Sequence, residues 1–524
     1  VGRVLVAVFF AAACLQFAHP LADGDLWWHL ATGRWIVEHG RLPDADPFSW
    51  TISPGYEERA RMSVRANWLA QIVYHGLYVA GGFQALRLFN ALLFTAALGL
   101  VHATLRRHGV KSAPALLLLA PLCAFCVWYD ELRPLGFSVL FTAASLWLLE
   151  RAALDGRGWR GLLPLVPLCA AWANLHRGFP VLALALVPHA LGLGWRRRFR
   201  EVGVIAAAGL ATLLNPSGLA PWRAAVEESL QGPGNFAILE LASPLEFARL
   251  AGGGAGGSFL PLLAVLAALT GALLVAGRAA VRPEHVLSWL LLAVAGATAF
   301  RYSIYFAVGA LVAAAPAAAA VLARAPAAGL QRGAPFAALV AAVALVLAAP
   351  RPALRPIHDE AVPARAVDAL LALSPPGPLF NSFDHGGYLI WRAWPHYQVF
   401  ADARLLDYSV FEEMARAGRE GLVPLLERRG INTVLHPTFD RELRVRQPVL
   451  ELLARPDWAL LHWDALATLF VRRSAAPALP EASARDFAAQ LFGVLEHRAR
   501  GRAPSAAERA EAEAIRRALD AGGR

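Results

Sequence analysis

"LADGDLWWHLATGRWIVEHGRLPDADPFSW", residues Leu21–Trp50, follows the first apolar run of the chain and sets two aspartates, Asp23 and Asp25, ahead of Trp27, Trp28, Trp35 and Trp50. An apolar run that ends in carboxylates and an aromatic helix is the pattern of a segment leaving a membrane into a working loop. The rest of the sequence agrees. Of 524 residues, 57% are hydrophobic and 17% charged, and the mean hydropathy is +0.46. Soluble domains carry about a quarter charged residues, so this is a membrane protein.

About eleven apolar stretches follow one another, most of them near or below the ~20 residues a helix needs to cross the hydrocarbon core. They run over Val4–Phe17, Leu86–Leu105, Ala113–Trp128, Leu135–Leu149, Leu162–Ala173, Pro180–Trp195, Val202–Leu214, Phe259–Val275, Val286–Phe300, Ile304–Leu322 and Ala334–Ala349. Val4–Phe17 lacks a small-x-small cleavage site after it and reads as an anchor. The net charge of +10 sits in short clusters between the apolar runs, which is how topology is encoded, so no nucleic acid is expected as a partner. Arg3, Arg106-Arg107-Lys111, Arg151 with Arg157 and Arg160, Arg196 to Arg200, Arg278 with Arg282, and Arg324 with Arg332 occupy alternate loops. These loops are expected to be cytoplasmic, with the N-terminus, and the acidic loops between them outside. Cys14, Cys123, Cys126 and Cys169 all lie in apolar runs, where the side chain behaves as a small hydrophobe.

That sidedness makes "NWLAQIVYHGLYVAGG" (Asn67–Gly82) a helix on the outer membrane surface and the first outer loop long, about residues 19–84. Residues 1–350 are then a multi-spanning domain. After Pro350 a Pro- and Arg-rich linker leads to short apolar runs and polar helices, an α/β domain over 351–480 on the outer side. Its expected strands are "PLFNSF", "YLIWR", "YQVFAD", "NTVLHP" and "WALLHWDALATLFVRR", with one helix over 409–430. Residues 481–524 form a polar helical tail, solvated or partner-binding. "AGGGAGG" (251–257) follows no strand and reads as a flexible entry to a span.

Within Leu21–Trp50, a helix is expected from Asp25 to about Glu38, ended by Gly40 and Pro43, with its tryptophans lying flat at the membrane interface. Asp23 and Asp25 then serve either as caps or as carboxylates meeting a lipid head group. A second outer acidic pair, Asp130 and Glu131 in "WYDELRPLGF", occupies a short turn, followed by Arg133. Ionisable groups this close to the bilayer are functional candidates or solvated turn residues. "WANLHRGF" adds Asn174, His176 and Arg177; His176 is either a base or a hydrogen-bonded interfacial histidine.

Together, "DGDLWWHLATGRWIVEHG", "YDELRP", "WANLH", "LLNPSG" and "FNSFDHGGYLIWRAWPHYQVFADAR" resemble, in order and spacing, bacterial membrane proteins of the GT-C glycosyltransferase superfamily. That superfamily includes protein O-mannosyltransferases, lipid A aminoarabinose transferases and oligosaccharyltransferase catalytic subunits. The resemblance extends to about Arg473. It implies a multi-pass protein of the bacterial cytoplasmic membrane with a periplasmic α/β domain. It also implies transfer of a sugar from a polyprenyl-phosphate donor to a glycan, lipid or protein acceptor. The catalytic aspartate falls on Asp25, or on Asp23, and the second acidic motif on Asp130 and Glu131. If a divalent metal such as Mg or Mn is used, Asp25, Asp130 and Glu131 are its implied ligands. Asp384 falls on the aspartate of a Trp-Trp-Asp-x-Gly acceptor motif, but Ser382 and Phe383 replace its tryptophans, which argues against an Asn-x-Ser/Thr acceptor. The leaving phosphate needs cations, and Arg133, Arg177 and above all Arg301 stand at outer span ends. The rival expectations are an inactive scaffold of the same fold in envelope assembly and, behind it, a transporter.

Overall fold

The computed structural model describes residues 2–231, 239–250, 258–324, 327–348, 362–404, 406–440, 442–499 and 503–521. "AGGGAGG" and most of the linker after Pro350 lie outside them. The chain forms two compact units, Val1–Leu21 with Arg65–Ile357 and Ala22–Val64 with His358–Arg524. Most of the long first loop therefore belongs to the same unit as the C-terminal region.

The first unit is helical. Three of its helices, Trp68–Arg107, Leu135–Leu154 and Phe259–Ala276, are long and apolar enough to cross a membrane, and the pair Phe300–Ala313 and Ala315–Arg324, bent by 47°, makes a fourth if taken as one span. Shorter apolar helices, among them Gly2–Phe17 and Ser112–Cys126, complete the bundle. These helices make the chain a multi-pass membrane protein, though the expected number near eleven is not reached by length and composition among the described residues. Phe9, Phe94, Phe125, Trp172, Phe179 and Phe259 fill the core. Asn67–Gly82, expected to stand apart from the following span, is continuous with it except for a break at Gly81 and Gly82. Gly82 has φ of 61° there, a conformation that a side chain would strain.

The second unit carries a four-stranded sheet in the order β1-β2-β4-β3, with β1 Leu379–Asn381, β2 Thr433–Pro437, β3 Trp458–Trp463 and β4 Ala467–Arg472. β1 runs parallel to β2, and the other pairs are antiparallel. Two expected strands are absent among the described residues. "YLIWR" lies in a helix, Phe383–Ala393, which starts after the extended Ser382 and buries His385, Tyr388 and Leu389 on one face. "YQVFAD" pairs only through a bridge from Val399 to Ser49. The single helix expected over 409–430 is two, Tyr408–Glu420 and Val423–Arg428, because Gly421 takes φ of 104° between them. The C-terminal segment forms two helices, Ala484–Arg498 and Ala506–Ala521. Their apolar stripes, Phe487, Leu491 and Leu495 with Ile515 and Ala518, join the unit's core. A helix polar in composition can still bury one narrow face.

Candidate functional site

The Asp25–His39 helix ends where expected, at Gly40 with φ of 63°. It starts differently. Asp25 is the first helical residue, and Asp23, only 5% exposed, accepts the Asp25 backbone N–H through Oδ1 at 2.9 Å. Gly24 stands at the N-cap, Asp23 holds the first helical N–H from one position further out, and Asp25 is half-buried, with Oδ1 accepting from Trp28 Nε1 at 3.1 Å. The tryptophans do not form a lipid-facing stripe: Trp27, Trp28 and Trp35 are each 6% exposed. Trp27 packs on Tyr388 and Trp391, at ring distances of 5.0 and 5.1 Å. Indoles suit a protein interior with a polar partner as well as they suit a membrane interface. The pattern alone does not distinguish the two.

Close backbone contact fixes the helix. A Cβ on Gly387 would lie 2.6 Å from the Gly24 carbonyl oxygen, and one on Gly386 would lie 2.2 Å from that of Ala401. In "FDHGGYL", Gly387 therefore lets the Phe383–Ala393 helix press against the backbone of "DGD", and Gly386 lets it press against Ala401 and Asp402. Asp384 is exposed in the first turn of that helix. Further along, Arg404, with a fully buried side chain, bonds Asp46 at 2.6 Å and Asp402 at 2.7 Å. Thr51 Oγ1 donates to the Phe400 carbonyl at 2.6 Å, and the Asp407 carboxylate accepts the Ser53 N–H at 2.7 Å. The loop is stitched along its length to the C-terminal segment.

In the membrane unit, the second acidic pair separates. Glu131 is exposed beside Arg133, at 3.4 Å, whereas Asp130 is 1% exposed. Asp130 Oδ1 lies 3.0 Å from His19 Nε2, and its Oδ2 is buried without a hydrogen-bond partner. His19 Nδ1 is 2.9 Å from the Pro20 carbonyl, so both ring nitrogens face acceptors. Burial disfavours the cation, but the hydrogen bond and charge of Asp130 outweigh it and raise the pKa of His19 to about 9. Nothing in the sequence marks His19 beyond its place at the end of the first span.

The three arginines converge. Burial alone would raise the carboxyl pKa of Glu240, but Arg133, which bonds it, together with Arg301 and Arg177, holds it below the usual range. His176 closes the group: burial, then Arg177 and Arg301, pushes its pKa down to about 3, and its Nδ1 lies 2.6 Å from Ser138 Oγ. His176 is thus a neutral hydrogen-bonding ring rather than a cation. Asn174 takes a bond from Trp68 Nε1 at 2.8 Å, and Asn215 of "LLNPSG" closes a turn on Ser217 N and Gly218 O. Glu240 lies in a loop expected outside, and nothing local in the sequence singles it out.

Asp130 and Glu131 point apart, so they do not form a two-carboxylate metal site within this unit. Among the described residues, the ligand atoms near enough to share a metal ion belong to Glu150, His189 and His285.

No protein-family profile matches the sequence, and no characterised protein does. Solved structures do match. The apo structure of ArnT from Cupriavidus metallidurans aligns over 91% of this chain and 98% of its own, with 16% identity and a TM-score of 0.50. The arabinofuranosyltransferase AftD from Mycobacteria aligns over 90% of this chain and 40% of its own, with 16% identity and a TM-score of 0.53. Both are GT-C membrane glycosyltransferases. The chain has the GT-C fold.

Proposed function

We propose that this protein is a glycosyltransferase that moves a sugar from a polyprenyl-phosphate donor to an acceptor hydroxyl on the outer face of the bacterial cytoplasmic membrane. The observation that carries the reading is the cluster of Arg133, Arg177 and Arg301 about the half-exposed carboxylate of Glu240, in a chain of GT-C fold. Three guanidiniums against two carboxylates, Glu240 and Glu131, leave a net positive charge for an anion, and a lipid phosphate supplies it.

Asp25 is the general base. It is the more exposed of the two aspartates, and its position is fixed by the bond of its N–H to Asp23 and by the Gly24–Gly387 contact. Its carboxylate takes the proton of the acceptor hydroxyl, whose oxygen attacks the anomeric carbon as the bond to the phosphate oxygen breaks. The phosphate leaves as an anion held by the arginines, and the anomeric configuration inverts. Neutral His176 donates a hydrogen bond without adding charge. Asp384 faces solvent and contacts the acceptor. The arginine-rich loops lie on the cytoplasmic side, which puts both acidic motifs outside.

The test uses the purified full chain with a panel of polyprenyl-phosphate sugars and scores polyprenyl-phosphate release. Release from one donor, lost in Arg301→Gln with folding intact, is the expected result. Absence of release from every donor and acceptor tried would favour a scaffold role.

A further inference from the structure

Toward the arginine-rich end of the membrane unit, four helices bring three histidines to one carboxylate. Glu150, on the Leu135–Leu154 helix, is 1% exposed. Its Oε1 is 2.8 Å from His285 Nε2 and 3.6 Å from His189 Nε2, and its Oε2 is 2.9 Å from His108 Nε2. A 20-residue helix of ~1.5 Å rise per residue separates this cluster from the turn that carries Asp130, so it lies well away from the proposed chemistry.

The decisive residue is His189. Its Nδ1 is 2.9 Å from the Ala185 carbonyl oxygen, and that bond exists only if Nδ1 carries the proton. The Nε2 lone pair then faces a carboxylate oxygen at 3.6 Å, too far for a hydrogen bond. A second proton on Nε2 would set an imidazolium beside the guanidinium of Arg282, already on the same carboxylate. Two lone pairs facing each other across such a gap are the arrangement of two ligands to one ion. Ligands ~2.0–2.1 Å from a tetrahedral centre lie about 3.3 Å apart, and the two separations from Oε1 bracket that value. A ring whose other nitrogen donates to a backbone carbonyl is the usual form of a metal-binding histidine.

We propose that Glu150, His189 and His285 bind one divalent transition-metal ion of the Zn2+ type. The two imidazoles favour such an ion over Mg2+ or Ca2+, which take oxygen donors. His108 supports Glu150 through its second oxygen. A cleft of about 40 Å³ lined by Leu149, Leu162, His189, Arg282 and Glu284 borders the site at His189. Arg282 is the competitor: its Nη2 lies 2.8 and 3.0 Å from the Glu150 oxygens and 3.0 Å from His285 Nε2. Its Nε is also 3.4 Å from Glu284 Oε1, so Glu284, which also pairs with Arg196, keeps hold of the guanidinium when the ion binds. His285 then carries its proton on Nδ1 and gives up the 3.3 Å contact from the Arg282 backbone N–H. The ion would clamp the Leu135–Leu154, Leu182–Trp195 and Pro283–Thr298 helices together.

The test is Zn2+ titration of the chelator-stripped full chain in detergent, with bound metal counted by elemental analysis and Co2+ substituted for its ligand-field spectrum. One ion per chain is expected. His189→Gln and His285→Gln should each weaken binding by about 100-fold or more, and His108→Gln by about 10–100-fold, as for supporting residues elsewhere. Arg282→Gln, which removes the competing cation, should tighten it by about 10-fold or more on the same scale. The apo melting curve of each variant establishes that it is folded. The proposal is overturned if the parent binds no Zn2+, if occupancy and the Co2+ spectrum survive both folded histidine variants, or if folded Arg282→Gln loses the ion.

Discussion

The two acidic motifs of this chain look alike in sequence and are built in opposite ways. In "DGD" the buried Asp23 holds the backbone N–H of the half-exposed Asp25, and a glycine–glycine backbone contact fixes the pair. In "YDELRP" the first carboxylate, Asp130, is sealed against His19, and the second, Glu131, projects into solvent. The first arrangement suits the base proposed above, and the second locks a turn. Exposure and partner, rather than the presence of a carboxylate near the bilayer, separate the chemical group from the structural one.

Asp25→Asn bears hardest on that contrast. It keeps the size and the acceptor oxygen facing Trp28 but removes the base, so turnover should fall by roughly 10²–10⁴-fold with the melting temperature unchanged. Equal losses of turnover and stability would return Asp25 to a capping role.

His19→Gln should leave Asp130 as a buried charge without its cation and destabilise the membrane unit by about 3–5 kcal/mol, read by thermal unfolding in detergent. The same pair sets a pH dependence. The folded pKa of His19, about 9, lies above its ordinary 6.5. The stabilisation is therefore fully present below pH 6.5, declines above it and is gone once pH has risen through 9. The parent should lose stability over that window and His19→Gln should not. A parallel decline in both proteins would contradict the ion pair.

Gly387→Ala probes the backbone contact that the first motif has and the second lacks. Its Cβ would meet the Gly24 carbonyl, so about 1–3 kcal/mol of stability should be lost together with activity. Asp384→Asn should have the smallest effect, within about 0.5 kcal/mol on stability because the residue is exposed. An apparent KM for the acceptor that rises with kcat steady would place Asp384 on the acceptor.

Much of the fold is legible in the sequence because apolar length and arginine placement are properties of single segments. Residues of the arginine-rich loops do meet: Arg107 and Arg157 share Asp155, and His108 and Arg282 share Glu150. At the other end, Tyr129 donates to the Phe300 carbonyl at 2.7 Å, and Phe300 donates its N–H to Ala242. What misled was anything decided by a distant partner. The tryptophan stripe reads as interfacial until Tyr388 and Trp391 supply its cover, and "YLIWR" reads as a strand until the Gly-Gly before it is seen to need close helix packing. The residues of the candidate site were named from the motif, but its organising partners, His19 and Glu240, carry no local signal. Their roles arise from elements more than a hundred residues away.

The central claim is best tested by comparing Asp25→Asn with Asp130→Asn in one assay of polyprenyl-phosphate release, beside the parent, with each protein shown to be folded. The account predicts release by the parent, none above background from Asp25→Asn, and release within about tenfold of the parent from Asp130→Asn, whose change loosens a turn without removing the base. Full release by Asp25→Asn, with Asp130→Asn inactive, would reverse the roles assigned to the two motifs and contradict the account.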